Sequence, residues 1–259
     1  TTRQSDGAVA TAPSPSKSPL LNKLQQHDSY VVSSPSPSCA VPLVAAKVSL
    51  PVPTDFTIVP LSRLLPAETY STYSDPSGLL RESDDSGPAG TAAPSPAARK
   101  PRVFGPHDEY VSLLHRMQSV GMVAFTLTPK AVNGVFCVPK GDDLRLIIDA
   151  QPANACFKPP PAVRLPNPSH LAHLYMPSDT DCIASKYDLK DFYHRLQMPA
   201  PLRVWFCLPP VRAGEIGIAS ACTGSDSAAS VSVAAGDLVY LMCTTLPMGW
   251  SHSVYIAQC

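Results

Sequence analysis

The residues with the clearest chemical potential lie in the stretch CIASKYDLKDFYHRLQ, residues 182–197. Apolar Ile183 and Ala184, with Tyr187 close behind, predict a strand that enters a core, and Asp188 follows in the polar turn at its end. A carboxylate held at a rigid strand end is suited to binding a divalent metal ion. Asp188 is therefore a candidate metal ligand.

A second candidate lies in VPKGDDLRLIIDAQPAN, residues 138–154. Apolar stretches on both sides of the tight GDD turn predict a β-hairpin. Lys140 leaves the first strand at the turn and Arg145 enters the second, so a hairpin can direct both cations into one cleft, where they suit a polyphosphate. The alternative is that both cations only solvate the edge of a hairpin.

The third candidate is LPMGWSHSVYIAQ, residues 246–258. Gly249 lets the backbone approach another group closely, because it has no Cβ. Ser251 or His252 can open a helix over the residues that follow.

Taken along the chain, residues 138–154 resemble the fingers ribbon, residues 182–197 the first palm motif and residues 246–258 the second palm motif of retroviral and long-terminal-repeat-type reverse transcriptases. The resemblance covers residues 106–258 and is closer to long-terminal-repeat or tyrosine-recombinase (DIRS-like) elements than to non-long-terminal-repeat ones. It implies an RNA-directed DNA polymerase domain from a retroelement polyprotein. Met248 stands where retroviral enzymes often have Gln, and Gln151 stands where the family commonly has Arg.

The resemblance also implies residue roles. Asp188 becomes the catalytic carboxylate and the first metal ligand, and Tyr193 becomes the aromatic ring that excludes a ribose 2′-hydroxyl. Backbone amides around Asp191 meet phosphate oxygens, whereas the ring of Phe192 also suits a core. The nucleotide-binding set implied in this way is Lys140, Arg145, Asp191, Phe192, Tyr193, Met248 and Gly249.

Nucleotidyl transfer by this family requires two Mg²⁺ or Mn²⁺ ions roughly 4 Å apart, bridged by carboxylates. The family's other catalytic carboxylates lie in an aromatic-x-Asp-Asp motif, which does not occur in these 259 residues. We therefore expect an incomplete polymerase domain that is inactive by itself. RNA or DNA template-primer and deoxynucleoside triphosphates are the expected partners of the complete enzyme.

Composition predicts two regions. Residues 1–100 are rich in Pro and Ser, a composition that favours disorder, although 40–65 is apolar enough for short strands or a partner-binding segment. Residues 101–259 are expected to form an α+β reverse transcriptase domain, a partial right-hand polymerase fold with fingers and the N-terminal part of the palm. Within it, 211–236 is expected to be a flexible insertion or translated intron-like sequence.

Local patterns predict individual elements of this domain. A helix is expected over 107–121, strands are expected over 122–129, 134–140 and 144–149, and a short helix is expected over Ser169–Tyr175. Two further strands are expected over 203–210 and from Asp237 onward.

Charge and cysteine content narrow the function classes only slightly. The formal net charge is zero, which neither requires nor excludes nucleic acid as a partner. Eight scattered cysteines without a C-x-x-C pair favour a reducing, intracellular setting in cytoplasm or nucleus over a zinc site. No apolar run is long enough to cross a membrane.

Two other functions remain open at this point. The chain can be a degenerate, non-catalytic remnant that binds nucleic acid weakly through Lys140, Arg145 and neighbouring cations. Alternatively, the Pro/Ser-rich half is an interaction segment and the folded part is a passenger.

Overall fold

The structure, a computed structural model, describes residues 40–81, 101–163, 165, 183, 185, 187–218, 220–222 and 230–259. With the exception of Leu165, these residues belong to one compact unit. Their secondary structure is mixed α+β, as the sequence predicts. Every count and absence reported below refers to these residues.

Helices in this part of the chain are short, with one exception. The α-helices are α1 (Ala67–Ser74), α2 (His107–Ser119), α3 (Gln151–Cys156), α4 (Ala200–Arg203) and α5 (Ser253–Gln258). The 3-10 helices are Ala45–Lys47, Pro53–Asp55, Leu61–Arg63, Pro76–Leu79, Phe192–Arg195 and Ala213–Ile216.

Helix α2 confirms the clearest local prediction. Its apolar residues repeat at helical spacing and are buried, and Asp108 and Glu109 lie in the first turn, where carboxylates interact favourably with the helix dipole. Gly121 follows the helix with φ of 71°, a left-handed conformation that costs glycine little. The buried residues are Tyr110, Leu113, Leu114 and Met117.

Strands form small sheets. They are β1 (Val59–Pro60), β2 (Val123–Thr126), β3 (Gly134–Lys140), β4 (Asp143–Asp149), β5 (Leu196–Gln197), β6 (Val211–Arg212), β7 (Ser220–Cys222), β8 (Ser230–Ser232) and β9 (Leu238–Cys243). The sheet orders are β2-β9-β6, β3-β4, β1-β5 and β7-β8. All pairs are antiparallel except β1-β5.

The β3-β4 hairpin has one buried and one solvent-facing side, because side chains alternate along each strand. Its inner face carries Val135, Cys137, Leu144, Leu146 and Ile148, all buried. Its outer face carries half-buried apolar residues near the base of the hairpin and exposed polar residues near the turn. The strands predicted over 122–129, 134–140 and 144–149 are thereby confirmed in type and position.

Residues 40–81 fold onto the domain, although the composition of 1–100 favours disorder and only 40–65 was expected to contain short strands or a partner-binding segment. Residues 41–49, here called the strap, bury Leu43 completely and Val48 almost completely. The Glu109 carboxylate on α2 accepts a hydrogen bond from the Ala45 amide, and the Arg116 guanidinium donates to the Ala45 and Val48 carbonyls. Residues 1–39 and 82–100 lie outside the described residues.

The strap also contacts both strands of the hairpin. The Val41 amide donates to the Cys137 carbonyl on β3 at 2.9 Å, and the Ser49 amide donates to the Leu144 carbonyl on β4 at 2.8 Å. The strap therefore supports the hairpin at both of its strands.

Proline content misled the prediction because prolines in this segment begin structure. Pro53 and Pro76 occupy the first position of 3-10 helices, and Pro66 is the N-cap of α1. A helix start leaves the first N–H groups without intrahelical partners, so a residue without an N–H loses nothing there.

One prediction in the C-terminal part is wrong. Residues 203–210 do not form a strand: α4 ends at Arg203, and only Cys207 makes isolated bridges, to Val132 and Met242. Pro209 and Pro210 cannot donate to a ladder.

The flexible insertion expected over 211–236 contains β6, β7 and β8 among its described residues, and its flexibility stays a prediction. Residues 219 and 223–229 lie outside the described part.

The short helix expected over Ser169–Tyr175 lies outside the described residues. Among the described helices, none is both long and apolar enough to span a bilayer. The cysteines of this part that are free thiols are Cys137, Cys156, Cys207, Cys243 and Cys259.

We expect replacement of Leu43 by Ala to lower the free energy of unfolding by about 2–5 kcal/mol, since it creates a cavity in a fully buried position. The matched control is Val44→Ala, whose side chain is 38% exposed and should change stability by about 0.5 kcal/mol or less. Urea denaturation of both variants measures the difference. Equal, small effects would show that the strap is not part of the fold.

Candidate functional site

A side-chain amide joins two of the three sequence blocks. The Asn154 Nδ2 donates to the Gly249 carbonyl at 2.9 Å, and the Ser251 amide donates to Asn154 Oδ1 at 2.9 Å. Asn154 lies on α3, directly after the hairpin, and residues 247–251 form the loop before α5. One side chain therefore uses its donor and its acceptor to hold this loop against the base of the hairpin.

The central block reaches the same loop through β5. The Leu246 amide donates to the Leu196 carbonyl at 2.9 Å, and Gln197 bridges Thr245 in antiparallel register. Residues from all three blocks thus meet around residues 245–251.

Gly249 is required by close backbone approach. A Cβ at this position would overlap the Ile148 carbonyl oxygen and would lie 3.3 Å from the Ala150 Cβ. The backbone of Gly249 therefore approaches the C-terminal end of β4. The sequence analysis instead expected it to approach a base or nucleotide. Its neighbour Met248 is 40% exposed, so its side chain is accessible from solvent.

The two cations of the hairpin share its outer face. In the β3-β4 register Lys140 pairs with Asp143 and Arg145 pairs with Val138, which makes the cations diagonal neighbours. Both side chains are exposed, and neither has an ion-pair partner within 4.0 Å among the described residues. The predicted hairpin is confirmed, while phosphate binding by these cations stays a prediction.

Asp188 does not lie at the end of a buried strand, which corrects the sequence analysis. Tyr187 and Ile183 are 87% and 93% exposed, and residues 187–189 have no regular secondary structure. Asp188 itself is exposed. Ala184 lies outside the described residues.

Asp191 adopts a left-handed conformation, with φ of 55°, at the start of the Phe192–Arg195 helix. It is the one described residue other than glycine with positive φ, a conformation that Asp tolerates better than most residues. Its carbonyl accepts from the Arg195 amide at 3.2 Å, whereas its side chain makes no capping hydrogen bond.

The rings of Phe192 and Tyr193 pack against each other and against the core. Their centroids are 5.5 Å apart in an edge-to-face arrangement, and both residues are half-buried. The expectation that Phe192 serves the core is consistent with this packing. Tyr193 keeps part of its ring accessible, and its role beside a sugar stays a prediction.

His194 was not selected by the sequence analysis, although it lies next to Tyr193. Its Nδ1 is buried and has no hydrogen-bond partner. It lines a small pocket with Leu146, Ile148 and Met248, in which the space open to a water-sized molecule is about 20 Å³. Burial lowers the pKa of His194, the Asp191 carboxylate opposes this, and the positive charge of Lys140 adds to it.

An aromatic cluster packs the 247–251 loop against helix α1. Trp250 and His252 stack with centroids 5.0 Å apart, and Tyr73 on α1 meets both rings edge-on. The Lys158 carbonyl can only accept, so His252 Nε2 donates to it at 2.8 Å and His252 Nδ1 accepts from the Tyr73 hydroxyl at 2.9 Å. Burial lowers the pKa of His252, which keeps this imidazole neutral.

The metal site that the resemblance implies does not fit the described residues. They contain no group of three or more His, Cys, Asp or Glu side chains that could hold a metal ion. Asp188 alone cannot bridge two ions, so no reaction step is assigned to a metal here.

Comparison with known proteins adds no relative. No protein-family model matches the sequence, and no curated protein matches it significantly. The relationship to reverse transcriptases therefore depends on the three sequence blocks and stays a prediction.

Replacement of Gly249 by Ala should lower the free energy of unfolding by about 2 kcal/mol or more, because the added methyl group meets backbone that has little room to move. Gly236→Ala is the matched control, since a Cβ there meets nothing within 4 Å. Thermal unfolding of both variants provides the measurement. A Gly249→Ala protein as stable as Gly236→Ala would contradict the close approach.

Stability should decrease as the pH falls below about 6.5. His252 has its pKa lowered from an ordinary value of 6.5 in the folded protein, so the unfolded chain takes up the proton first. The free energy of unfolding is therefore fully retained above this pH and declines below it. In a His252→Gln variant the decline between pH 6.5 and 5 should be smaller, as measured by urea denaturation at each pH. An unchanged decline would contradict the assignment.

Proposed function

We propose that this chain carries the fingers and the first part of the palm of a retroelement reverse transcriptase, of the long-terminal-repeat or tyrosine-recombinase type. The observation that carries the proposal is the contact of Asn154 with Gly249, which joins two of the resembling blocks across 95 positions of sequence. The blocks occur along the chain in the order found in a nucleotide site, and they also contact each other in the fold. Together, these two observations support a shared site more strongly than the sequence pattern alone.

The substrate class that best suits this site is a deoxynucleoside triphosphate. Lys140 and Arg145 are diagonal neighbours on one hairpin face and have no ion-pair partner among the described residues, so a polyphosphate can neutralise both without displacing a described carboxylate. Arg145 can make two parallel hydrogen bonds to phosphate oxygens, and Lys140 acts as a compact positive charge. Tyr193 and Met248 are then available for the sugar and base.

We assign binding, and not synthesis, to this polypeptide. Two-metal nucleotidyl transfer needs several carboxylates around the reacting phosphate. The 259 residues contain no aromatic-x-Asp-Asp motif, and the described residues contain no group of three or more His, Cys, Asp or Glu side chains that could hold a metal ion. The Mg²⁺ or Mn²⁺ ions of a complete enzyme would therefore require carboxylates beyond those found here, and primer extension by this polypeptide would contradict the assignment.

The exposed position of Asp188 favours a second candidate, a degenerate remnant that binds nucleic acid without catalysis. Such binding depends on neutralised phosphates and weakens steeply with salt. Salt-dependent affinity for a primer-template duplex, without any affinity for a free nucleotide, would favour the remnant. The alternative in which the Pro/Ser-rich half is an interaction segment cannot include residues 40–81, since side chains of this segment belong to the core of the fold.

Lys140→Ala and Arg145→Ala should each weaken binding of deoxyadenosine triphosphate about tenfold, because each removes a charged hydrogen-bond donor from the site. Lys130→Ala is the matched control, since Lys130 is also exposed and lies outside the hairpin. Isothermal titration calorimetry at low salt measures the four proteins. Absence of binding by the unsubstituted chain, or equal affinity in all four proteins, would overturn the proposed function.

A further inference from the structure

A small pocket lies between β4 and the loop that follows β9. Leu146 and Ile148 of β4 form one side of it, and residues 245–248 form the other. The space inside that admits a water-sized molecule is about 20 Å³. One ordered water needs roughly 10–15 Å³ of such space, so the enclosed part of the pocket has room for one small chemical group.

The walls of this pocket are mostly apolar. Met117 on α2 and Met122, which follows α2, line it together with the side chains of β4. No Lys, Arg, Asp or Glu from the described part of the chain lines it. Moving a charged group from water into such surroundings is costly unless the charge is paired. The pocket therefore suits a neutral ligand.

His194 gives the pocket a hydrogen-bonding atom that the fold does not use. Its ring lines the pocket, and its Nδ1 atom is buried without a hydrogen-bond partner. Among the described side chains, only the Trp250 indole nitrogen shares this condition, and Trp250 does not line the pocket. Because an unpaired buried polar atom is costly, a ligand group that bonds to Nδ1 recovers part of this cost.

Met248 connects the pocket with solvent. It lines the pocket, and its side chain is 40% exposed. Methionine is unbranched and adapts easily to the shape of a neighbour. A ligand can therefore place one small group inside the pocket and keep its larger, apolar part against the Met248 side chain.

We propose that this pocket binds a neutral, mainly apolar ligand through one hydroxyl group, which forms a hydrogen bond with His194 Nδ1. A hydroxyl group can donate and accept, so it fits either tautomer of the ring. Water is less suitable, because mostly apolar walls offer few of the about two to four partners that a buried water uses. The inference goes beyond the proposed function, since Lys140 and Arg145 do not line the pocket.

Phenol and fluorobenzene are suitable probes, because they have nearly the same shape and only phenol has a hydroxyl group. NMR titration of the 259-residue chain, labelled with ¹³C at its methionine methyl groups, measures binding at the pocket. Phenol should shift the signals of Met117, Met122 and Met248. The signal of Met198, which is buried but does not line the pocket, should stay unchanged. Fluorobenzene should bind about threefold to tenfold more weakly, as expected for one hydrogen bond.

His194→Phe keeps an aromatic ring and removes Nδ1, so the two probes should bind this variant with equal affinity. His115→Gln changes an exposed histidine on α2 and is the matched control, which should keep the preference for phenol. A readout that needs no variant is the ¹⁵N signal of His194 Nδ1. This signal should shift with phenol and stay unchanged with fluorobenzene.

Each part of the proposal has its own contrary result. A phenol titration that leaves the three pocket methyl signals unchanged would overturn the pocket as a ligand site. Equal affinity of the unsubstituted chain for both probes would overturn the hydrogen bond, as would a preference for phenol that persists in His194→Phe. The anion site of the hairpin is tested separately, by the calorimetric titration with deoxyadenosine triphosphate.

Discussion

The position of the hairpin relative to the 247–251 loop depends on the side-chain amide of Asn154. One amide donates to the Gly249 carbonyl and accepts from the Ser251 amide, so two backbone groups of the loop are satisfied by a single residue. The absence of a Cβ at Gly249 then lets the loop reach the Ile148 carbonyl. The two hydrogen bonds require the loop to lie this close to the hairpin, and the missing Cβ at Gly249 makes this distance possible.

The two faces of the hairpin have different tasks. The inner face packs against the core and is supported by the strap, whose Leu43 is fully buried. The outer face exposes Lys140 and Arg145 without ion-pair partners among the described residues. Because the ribbon is fixed on its other side, its backbone is already ordered, and anion binding costs mainly the conformational freedom of the two side chains.

Local patterns correctly predicted the elements in which apolar residues repeat with the period of a helix or a strand. The alternation in β3 and β4 and the helical spacing in α2 gave correct types and near-correct boundaries, because each period matches one face of the core. The strand expected before Asp188 is not formed at 183, 185 and 187, which are exposed, and a local pattern does not show whether a neighbouring strand is available. Composition favoured disorder over 1–100 but says nothing about contacts with distant residues such as Glu109 and Arg116, which bind the strap.

The candidate site was predictable only in part for the same reason. Lys140, Arg145 and Gly249 were found from their spacing within short motifs, and the structure places them around one loop and one hairpin. His194 was missed because its significance comes from burial against Leu146 and Met248, which are far away in the sequence. A pattern of aromatic residues followed by His carries no sign that one ring nitrogen lacks a partner.

Photoaffinity labelling with 8-azido-deoxyadenosine triphosphate, followed by mass spectrometry of the peptides, tests the central claim most directly. A nucleotide site of this kind predicts labelled peptides from 134–149, 187–197 and 245–251, and loss of the label when unmodified deoxyadenosine triphosphate is present in excess. Label that appears only outside these segments, or that resists competition, would contradict a nucleotide site built from the three blocks.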